Sequence, residues 1–288
     1  MRQLTETVPA TDHRARFRDL VFSETGIRMP ANKDHLIVSR LRRRLLEGGF
    51  TGLDDYFAHL FDDGALEDEW PLIIDRITTN KTDFFREPAH YDFLANRVIP
   101  DAMRGARPGR TCRFRLWSAA SSTGAEAYSA AMVLADAAGT DARLDWAILG
   151  TDISTRVLEE ATRAIYPSDQ LAPVPQDLRA RYTMPGRGAT GSSGMARIVP
   201  ELRRRVRFAE LNLIDPPYPV SHGLDVIMLR NVLIYFTERQ QQQVVTEILG
   251  HLAVGGWFLV GHAESMIVQD HRLEQVAPAT FRRKATGQ

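Results

Sequence analysis

The stretch RLWSAASSTGAEAYSAAM, from Arg115 to Met132, has the pattern of a strand, a tight turn of small residues and a helix. Small residues let a ligand approach the backbone of such a turn, and the helix that follows offers unpaired N–H groups. The turn has one glycine, Gly124, so an ordinary strand-to-helix connection explains it as well as a nucleotide loop does. Glu126 is a helix cap in the simplest interpretation. If it faces a ligand instead, its charge would repel a phosphate and suit a cationic or hydroxyl-bearing group.

Strand and helix patterns alternate along the chain after this stretch. Four more strands are predicted, LDWAILGTD, VRFAELNL, LDVIMLRN and GGWFLVGHAE, and the segments Val157–Ala164 and Glu238–Leu252 have helical patterns. This alternation predicts a parallel sheet with helices on both faces, and such sheets bind ligands at the carboxyl ends of their strands. The fold class is therefore α/β, with a doubly wound, Rossmann-like domain.

The rest of the chain predicts further parts of the fold. Apolar residues recur at helical spacing in the N-terminal region, which indicates a small all-helical domain over residues 1–102. A linker rich in glycine, proline and arginine at 103–112 leads to the α/β domain at 113–288. Prolines and glycines interrupt the alternation over about 168–207, and we expect a small inserted antiparallel β subdomain there.

The composition excludes several classes of protein. The 288 residues include 36 Lys and Arg against 36 Asp and Glu, so net charge provides no general attraction to nucleic acid or anionic membranes. The single cysteine, Cys112, excludes an internal disulfide and a CxxC zinc site, and no metal site is expected. No apolar run approaches the roughly 18 residues of a membrane helix, and residues 1–10 lack the apolar core of a signal peptide. We expect a cytoplasmic protein.

Polar residues at two predicted strand ends indicate a ligand. Asp152, in LGTDIS, is placed to bind ribose hydroxyls, although a helix N-cap is the simpler interpretation of that residue alone. Together with Glu126 it favours an adenosyl ligand without pyrophosphate, and S-adenosylmethionine fits this description. Arg230, in LDVIMLRNVLIYF, ends a strongly apolar strand. A guanidinium buried there needs a carboxylate such as Glu126 or Asp152, unless the strand ends at a cleft.

A third polar segment is ITTNKTDFFREPAHYDFL, from Ile77 to Leu94. Its side chains Asn80, Thr82 and Arg86 are candidates for ligand contacts. The alternative is a capped helix start, with Thr82 or Asp83 as the cap.

Six stretches in order, TTNKTDFFRE, LWSAASSTGAEAYS, LGTDIS, FAELNL, DVIMLRNVLIYF and GHAES, closely resemble the CheR chemotaxis methyltransferases. The resemblance covers about residue 15 to residue 284. These enzymes use S-adenosylmethionine to methylate glutamate carboxylates of chemoreceptors for sensory adaptation. The resemblance implies the same fold: a helical N-terminal domain, a doubly wound methyltransferase domain and a small antiparallel subdomain.

Site roles carry over from the family by position. The resemblance implies that Arg86 and Tyr235 lie near the transferred methyl group, and that the product is S-adenosylhomocysteine. It implies cofactor contacts for Asn80, Thr82, Arg86, Glu126, Asp152, Asn212, Leu213, Arg230 and Asn231.

Substrate docking is expected at a basic helix of the N-terminal domain, IVSRLRRRLLEGG. Arg40, Arg43 and Arg44 fall opposite an apolar stripe, and the resemblance implies that they hold the methylation helices of receptors. A solvated face or a nucleic-acid patch is the alternative for these residues taken alone. The inserted subdomain binds a receptor C-terminal peptide in some members, but the loop in MPGRGATGSSGMARIV looks longer here. We expect a monomer that binds no nucleic acid and does not insert into membranes.

Two alternatives to this function remain at the level of sequence. Asp215-Pro216-Pro217-Tyr218 spells the DPPY motif of amino-methyltransferases, but it follows the third predicted strand of the sheet rather than the fourth. A Pro-rich turn explains it more simply. The other alternative is a non-enzymatic protein that binds S-adenosylmethionine and docks receptors.

Overall fold

The computed structural model describes residues 12–30, 32, 34–107, 109–186 and 194–285. The chain divides into two compact units between Thr78 and Thr79. Residues 1–10, for which the sequence predicts no signal peptide, lie outside the described residues.

The first unit, here called the helical unit, contains the helices α1 (His13–Thr25), α2 (Asp34–Gly48), α3 (Leu53–Phe61) and α4 (Leu66–Ile77). The side chain of Asp12 caps α1 by accepting from the N–H groups of Arg14 and Ala15. The predicted apolar stripe of α2 is confirmed, because Ile37, Leu41 and Leu45 are all buried.

The second unit, here called the α/β unit, is built on a seven-stranded sheet with the order β6-β2-β1-β7-β8-β10-β9. Neighbouring strands from β6 to β8 are parallel, and the last two strands pair antiparallel. The order reverses at β1, which has β2 on one side and β7 on the other, and such switch points are where these sheets bind ligands. The strands are β1 (Cys112–Ala119), β2 (Leu144–Asp152), β6 (Val206–Glu210), β7 (Leu224–Leu229), β8 (Leu252–Val260), β9 (Leu273–Ala277) and β10 (Thr280–Arg283).

The helices of the α/β unit complete the doubly wound fold that the sequence predicts. They include α7 (Ala125–Thr140), α8 (Thr155–Arg163), α10 (Pro200–Arg205) and α11 (Glu238–His251). The predicted alternation of strands and helices is therefore confirmed. Among the helices of the described ranges, none is both long and apolar enough to cross a lipid bilayer.

The segment before β1 differs from the predicted domain boundary at residue 102. It forms α5 (Ala89–Phe93), a short π-helix (Leu94–Val98) and α6 (Ile99–Gly105). Tyr91, and Leu94 and Val98 of the π-helix, are buried in the same core as β1 and α7. These helices therefore belong to the α/β unit, and α6 occupies the start of the predicted linker.

The inserted subdomain is a three-stranded antiparallel sheet with the order β3-β5-β4. Its elements are β3 (Ile165–Pro167), α9 (Gln176–Tyr182), β4 (Thr183–Pro185) and β5 (Met195–Ile198). The insertion was predicted to run to residue 207, but β6 begins at Val206 and pairs with β2 in the main sheet. Residues 187–193 of the long loop lie outside the described residues.

Candidate functional site

The turn after β1 lies at the switch point of the sheet and has unusual backbone geometry. Ala120, Ser122 and Gly124 adopt positive φ angles of 60°, 49° and 85°. A Cβ on Gly124 would lie 2.9 Å from the Cβ of Ala161, so close packing also requires glycine there. The hydroxyl of Ser121 is buried and has no hydrogen-bond partner among the described residues. An orphaned buried hydroxyl fits a ligand that supplies the missing partner.

Asp152 ends β2 and joins it to this turn. One carboxylate oxygen accepts a hydrogen bond from the backbone N–H of Ser122 at 2.9 Å, and the other accepts from Ser154 at 3.1 Å. The N-cap of α8 is Ser154, whose hydroxyl accepts from Val157. The N-cap alternative for Asp152 is therefore wrong. A carboxylate at a strand end beside a small-residue turn is the arrangement that binds ribose hydroxyls.

Arg230, which follows β7, is buried between two carboxylates. Its guanidinium donates to Glu126 and to Glu87, each at 3.0 Å, and also to the hydroxyl of Tyr91 at 3.3 Å and the carbonyl of Arg86. The second oxygen of Glu126 accepts from Ser118 at 2.7 Å. Of the alternatives that the sequence left open for Arg230, pairing with Glu126 is the one that the structure shows. Glu126 is therefore the partner of an internal arginine and not a simple helix cap.

The charges around Arg230 have opposite effects on neighbouring pKa values. Burial raises the pKa of Glu126 despite the attraction of Arg230. Burial also acts to raise the pKa of Glu87, but the charge and hydrogen bond of Arg230 outweigh it, and the pKa of Glu87 is lowered. Burial, followed by the charge of Arg230, lowers the pKa of His90 to about 4, which keeps this imidazole neutral at pH 7. The permanent cation of Arg230 thus lies beside a neutral histidine.

The segment TTNKTDFFRE folds over this arginine without forming a helix. The carbonyl of Asn80 accepts from the hydroxyl of Ser122 at 2.8 Å, and the N–H of Phe85 donates to Ser129 at 2.9 Å. The helix-start alternative is wrong, because residues 79–88 are not helical and α5 begins only at Ala89. Thr82 and Arg86 are partly exposed, so their side chains are available to a ligand.

The remaining predicted site residues lie on two other strand connections. Asn212 and Leu213 follow β6, where the side-chain oxygen of Asn212 accepts from Ile214 at 3.2 Å. Asn231 follows Arg230 and has a φ angle of 61°. Tyr235 ends a 3₁₀ turn and is half-buried. The structure therefore brings the nine predicted cofactor residues and Tyr235 to segments that follow the strands or fold over Arg230.

Two acids of this region, Glu87 and Glu264, have no role in the sequence predictions. Glu87 accepts from Arg230 and also from the backbone N–H of His262, whose ring lies 3.1 Å from the same carboxylate. Glu264 is fully buried and accepts from four backbone N–H groups. Glu87 ends the motif TTNKTDFFRE, and Glu264 lies in GHAES. Their place in these motifs was the sequence signal that could have identified them.

A cleft of about 750 Å³ connects this region with the inserted sheet. It is lined by Asn80, Thr82 and Thr123 from the site and by Arg163 and Tyr166 from the insertion side. The cleft gives a polar ligand or segment access to the cofactor residues. The described residues contain no cluster of three or more histidine, cysteine or acidic side chains placed to hold a metal ion.

The tyrosine of the DPPY motif is buried and is not exposed to a ligand. Tyr218 is buried, donates its hydroxyl to the carbonyl of Leu213 at 2.5 Å, and packs against Trp117 and His251. The motif lies between β6 and β7, as its position in the sequence indicates. Since the tyrosine points inward, it is not available to hold an amine, and the geometry contradicts the amino-methyltransferase alternative.

The helical unit separates the three arginines assigned to docking. Arg44 forms an ion pair with the buried carboxylate of Glu69, which also accepts from Tyr56 at 2.8 Å. Arg43 is exposed and pairs with Glu47 at 2.6 Å, while Arg40 is partly exposed. The guanidinium of Arg44 is engaged inside its own unit, which counts against the docking role predicted for it. Arg42, which the sequence analysis omitted, is exposed on the same helix.

Comparison with known proteins assigns both units. The CheR methyltransferase SAM-binding domain matches residues 80–282, and the CheR all-alpha domain matches residues 12–78. These bounds agree with the structural division after Thr78.

Curated relatives match most of the chain. It is 38% identical over 265 residues to the chemotaxis protein methyltransferase of Escherichia coli (strain K12), which covers 91% of this chain and 88% of that protein. It is 35% identical over 265 residues to chemotaxis protein methyltransferase 2 of Pseudomonas aeruginosa, covering 92% and 90%. The corresponding protein of Borreliella burgdorferi is 33% identical over 274 residues, covering 94% of each chain.

Proposed function

Because this chain belongs to the CheR methyltransferase family, whose SAM-binding domain spans residues 80–282, we propose that it methylates glutamate carboxylates of chemoreceptors. The product would be a glutamate methyl ester used in sensory adaptation, formed in the cytoplasm by a monomeric enzyme. S-adenosylmethionine is the cofactor of this family, and it supplies an electrophilic methyl group when bound.

The chemistry of the described residues fits this cofactor. Asp152 would hold the ribose hydroxyls, and the orphaned hydroxyl of Ser121 offers a further polar contact in the same turn. Asn212 and Leu213 would lie beside the adenine. Contacts to the rest of the cofactor would come from Asn80, Thr82, Arg86, Glu126, Arg230 and Asn231.

The observation that carries the choice of an oxygen nucleophile is that the acids around Arg230 already have partners. They are therefore not free to act as a general base, which a carboxylate nucleophile does not need. Glu87 and Glu126 are both engaged by Arg230, and Glu264 by backbone N–H groups. A substrate glutamate, with an ordinary pKa of about 4.3, is already ionised at pH 7 and needs no base. Arg86 and Tyr235 would orient that carboxylate and exclude water.

Positioning and desolvation are therefore the enzyme's contribution. Proximity and orientation alone supply roughly 7–11 kcal/mol in well-aligned reactions. Opposite charges on sulfonium and carboxylate disappear during transfer, so a dry site favours the transition state. We expect kcat to stay flat from about pH 6.5 to 9, whereas an essential acid and base would produce a bell-shaped profile.

Receptor docking is proposed for the exposed part of α2. Arg40 and Arg43 keep this role, Arg42 joins them, and Arg44 is excluded because Glu69 already neutralises it. The double variant Arg40→Ala/Arg43→Ala is expected to raise the KM for receptor and leave cofactor affinity intact. Arg97→Ala is the matched control, since Arg97 also forms an i,i+4 ion pair at a surface, with Asp101 at 3.0 Å.

A second receptor contact is proposed at the inserted sheet, which would bind a receptor C-terminal peptide along an edge strand. Within the described residues its two edge strands, β3 and β4, pair with β5 on one side only, and an open edge is the requirement for adding a peptide strand.

The decisive experiment uses cofactor with a labelled methyl group and membranes that contain receptors. Treatment with strong base releases methanol from carboxyl methyl esters but leaves N-methyl groups on the protein. Volatile label supports the proposal, and stable label contradicts it. Cofactor binding without any transfer to several receptors would favour the non-enzymatic docking protein.

A further inference from the structure

The turn that follows β7 is held by one buried carboxylate. The turn contains Arg230 and Asn231 and continues into the 3₁₀ turn Leu233–Tyr235. Glu264, which follows β8, has no solvent exposure, although it carries a group that is normally charged. A buried carboxylate requires compensation, and all of the compensation here comes from backbone N–H groups.

The hydrogen bonds of Glu264 use both of its oxygens completely. One oxygen accepts from the N–H groups of Asn231 at 2.7 Å and Gly261 at 2.8 Å. The other accepts from Val232 and Leu233, both at 2.7 Å. Two oxygens provide about four acceptor positions, and four N–H groups occupy them. Protonation would therefore cost one of these hydrogen bonds. The ionised carboxylate is the form that fits this geometry, although burial raises the pKa of Glu264 against the effect of these four hydrogen bonds.

This arrangement determines where Asn231 lies. Three consecutive N–H groups converge on one carboxylate, which requires a tightly curved backbone, and Asn231 adopts a φ angle of 61° within it. Left-handed geometry is costly for residues other than glycine unless the surroundings hold it. Glu264 supplies that support and so directs the asparagine side chain and the adjoining Arg230.

Gly261 completes the arrangement from the opposite side. A Cβ at this position would lie 2.6 Å from the side-chain nitrogen of Asn231 and 2.7 Å from the carboxylate of Glu264. Its own φ angle is −67°, which any residue adopts. The glycine is therefore required for space and not for backbone freedom.

We propose that Glu264 is a positioning residue of the cofactor site, acting through Asn231 and not by touching the cofactor itself. The inference rests on the proposed role of Asn231 in cofactor binding. Cofactor affinity is measured without receptor, so the test is independent of which protein is methylated.

The first variant is Glu264→Gln in the full-length chain. Glutamine keeps one acceptor oxygen and replaces the other with an NH₂ group, which faces two backbone N–H donors. We expect the Kd for S-adenosylmethionine, measured by calorimetry, to rise about tenfold or more, as the loss of one or two buried hydrogen bonds predicts. The KM for receptor should change less than about twofold, since these bonds do not touch the receptor.

Asp225→Asn is the matched control. Asp225 also accepts from a backbone N–H, that of Arg115 at 2.7 Å. It lies at the start of β7, whereas the turn that Glu264 holds follows the end of β7. It should lower the melting temperature without changing the Kd. An equal rise of Kd in both variants would mean that Glu264 contributes only general stability, and the proposal would be wrong.

Gly261→Ala provides a second perturbation of the same contact if Glu264→Gln does not fold. The added methyl group crowds both Asn231 and the carboxylate of Glu264, so it disturbs the same contact and the same rise of Kd is expected. Wild-type affinity in Gly261→Ala, or in a folded Glu264→Gln protein, would overturn the proposal.

Discussion

Arg230 in the α/β unit and Arg44 in the helical unit both form internal ion pairs, but their surroundings differ. Arg230 contacts two carboxylates, a tyrosine hydroxyl and a carbonyl, and its side chain is 2% exposed. Arg44 pairs with one carboxylate, Glu69, and remains 18% exposed. The partners of Arg230 come from distant parts of the chain that meet at the site, whereas Glu69 belongs to the same small bundle as Arg44.

The difference shows when an arginine indicates a functional site. The charge of a residue can be inferred from sequence, but its partners depend on tertiary structure. An arginine that joins three segments at the switch point of a sheet organises the groups around a ligand. An arginine that joins two helices of one bundle supports the fold. Substitutions at each position should therefore separate binding from stability.

The largest effect is expected for Arg230→Met. It leaves Glu126 and Glu87 without a cation, and breaking a buried ion pair by removing one partner costs about 3–5 kcal/mol. Cofactor affinity should fall at the same time, because the TTNKTDFFRE segment loses its anchor. Denaturant unfolding and calorimetry check both effects. Unchanged affinity in a folded variant would mean that Arg230 is only structural, like Arg44.

The next effect concerns His90, beside Arg230. Its pKa is about 4 in the folded protein and about 6.5 when unfolded, so the unfolded chain binds a proton first as the pH falls. His90 therefore contributes stability above pH 6.5 that is lost between about pH 6.5 and 4, amounting to about 3 kcal/mol.

The variant His90→Phe isolates this contribution. It removes the titrating group and keeps a ring to stack on His262, 5.6 Å away. The free energy of unfolding of the variant should decrease less on acidification from pH 7 to 4 than that of the wild type, by about 3 kcal/mol. Identical pH dependence of the two proteins would contradict the effect of burial and of Arg230 on His90.

A smaller loss is expected for Arg44→Met. The pair with Glu69 is partly exposed, so we expect the unfolding free energy of the helical unit to fall by about 2–3 kcal/mol, below the value for full burial. Arg43→Ala is the control for the unfolding free energy alone, because its exposed pair with Glu47 contributes little to stability. If Arg44→Met kept full stability but lost receptor methylation, Arg44 would be a docking residue after all.

The sequence predicted most of this fold because its signals are local. Alternating strands and helices, the small-residue turn and the acid at the end of β2 follow from short-range patterns. It also predicted that a buried Arg230 needs a carboxylate, with Glu126 and Asp152 as the candidates, unless the strand ends at a cleft. What it missed depends on long-range pairing: Glu69 is 25 positions from Arg44, and Glu264 lies 33 positions from Asn231. The boundary at Thr78 was missed for a similar reason, since helical patterns do not reveal which core a helix joins.

The smallest effect is expected for Tyr218→Phe. Tyr218 belongs to a motif that binds ligands in other proteins, but here its side chain is buried, so it extends the comparison. The variant loses the hydrogen bond to the carbonyl of Leu213 and about 1 kcal/mol of stability. Its kcat for methyl transfer should equal that of the wild type, because the ring still packs against Trp117 and the hydroxyl is buried against the carbonyl of Leu213. An enzyme that used this tyrosine to hold an amine would lose most of its kcat. A large loss of kcat with intact stability would therefore place Tyr218 with Arg230, at the site, and not with Arg44, in the framework.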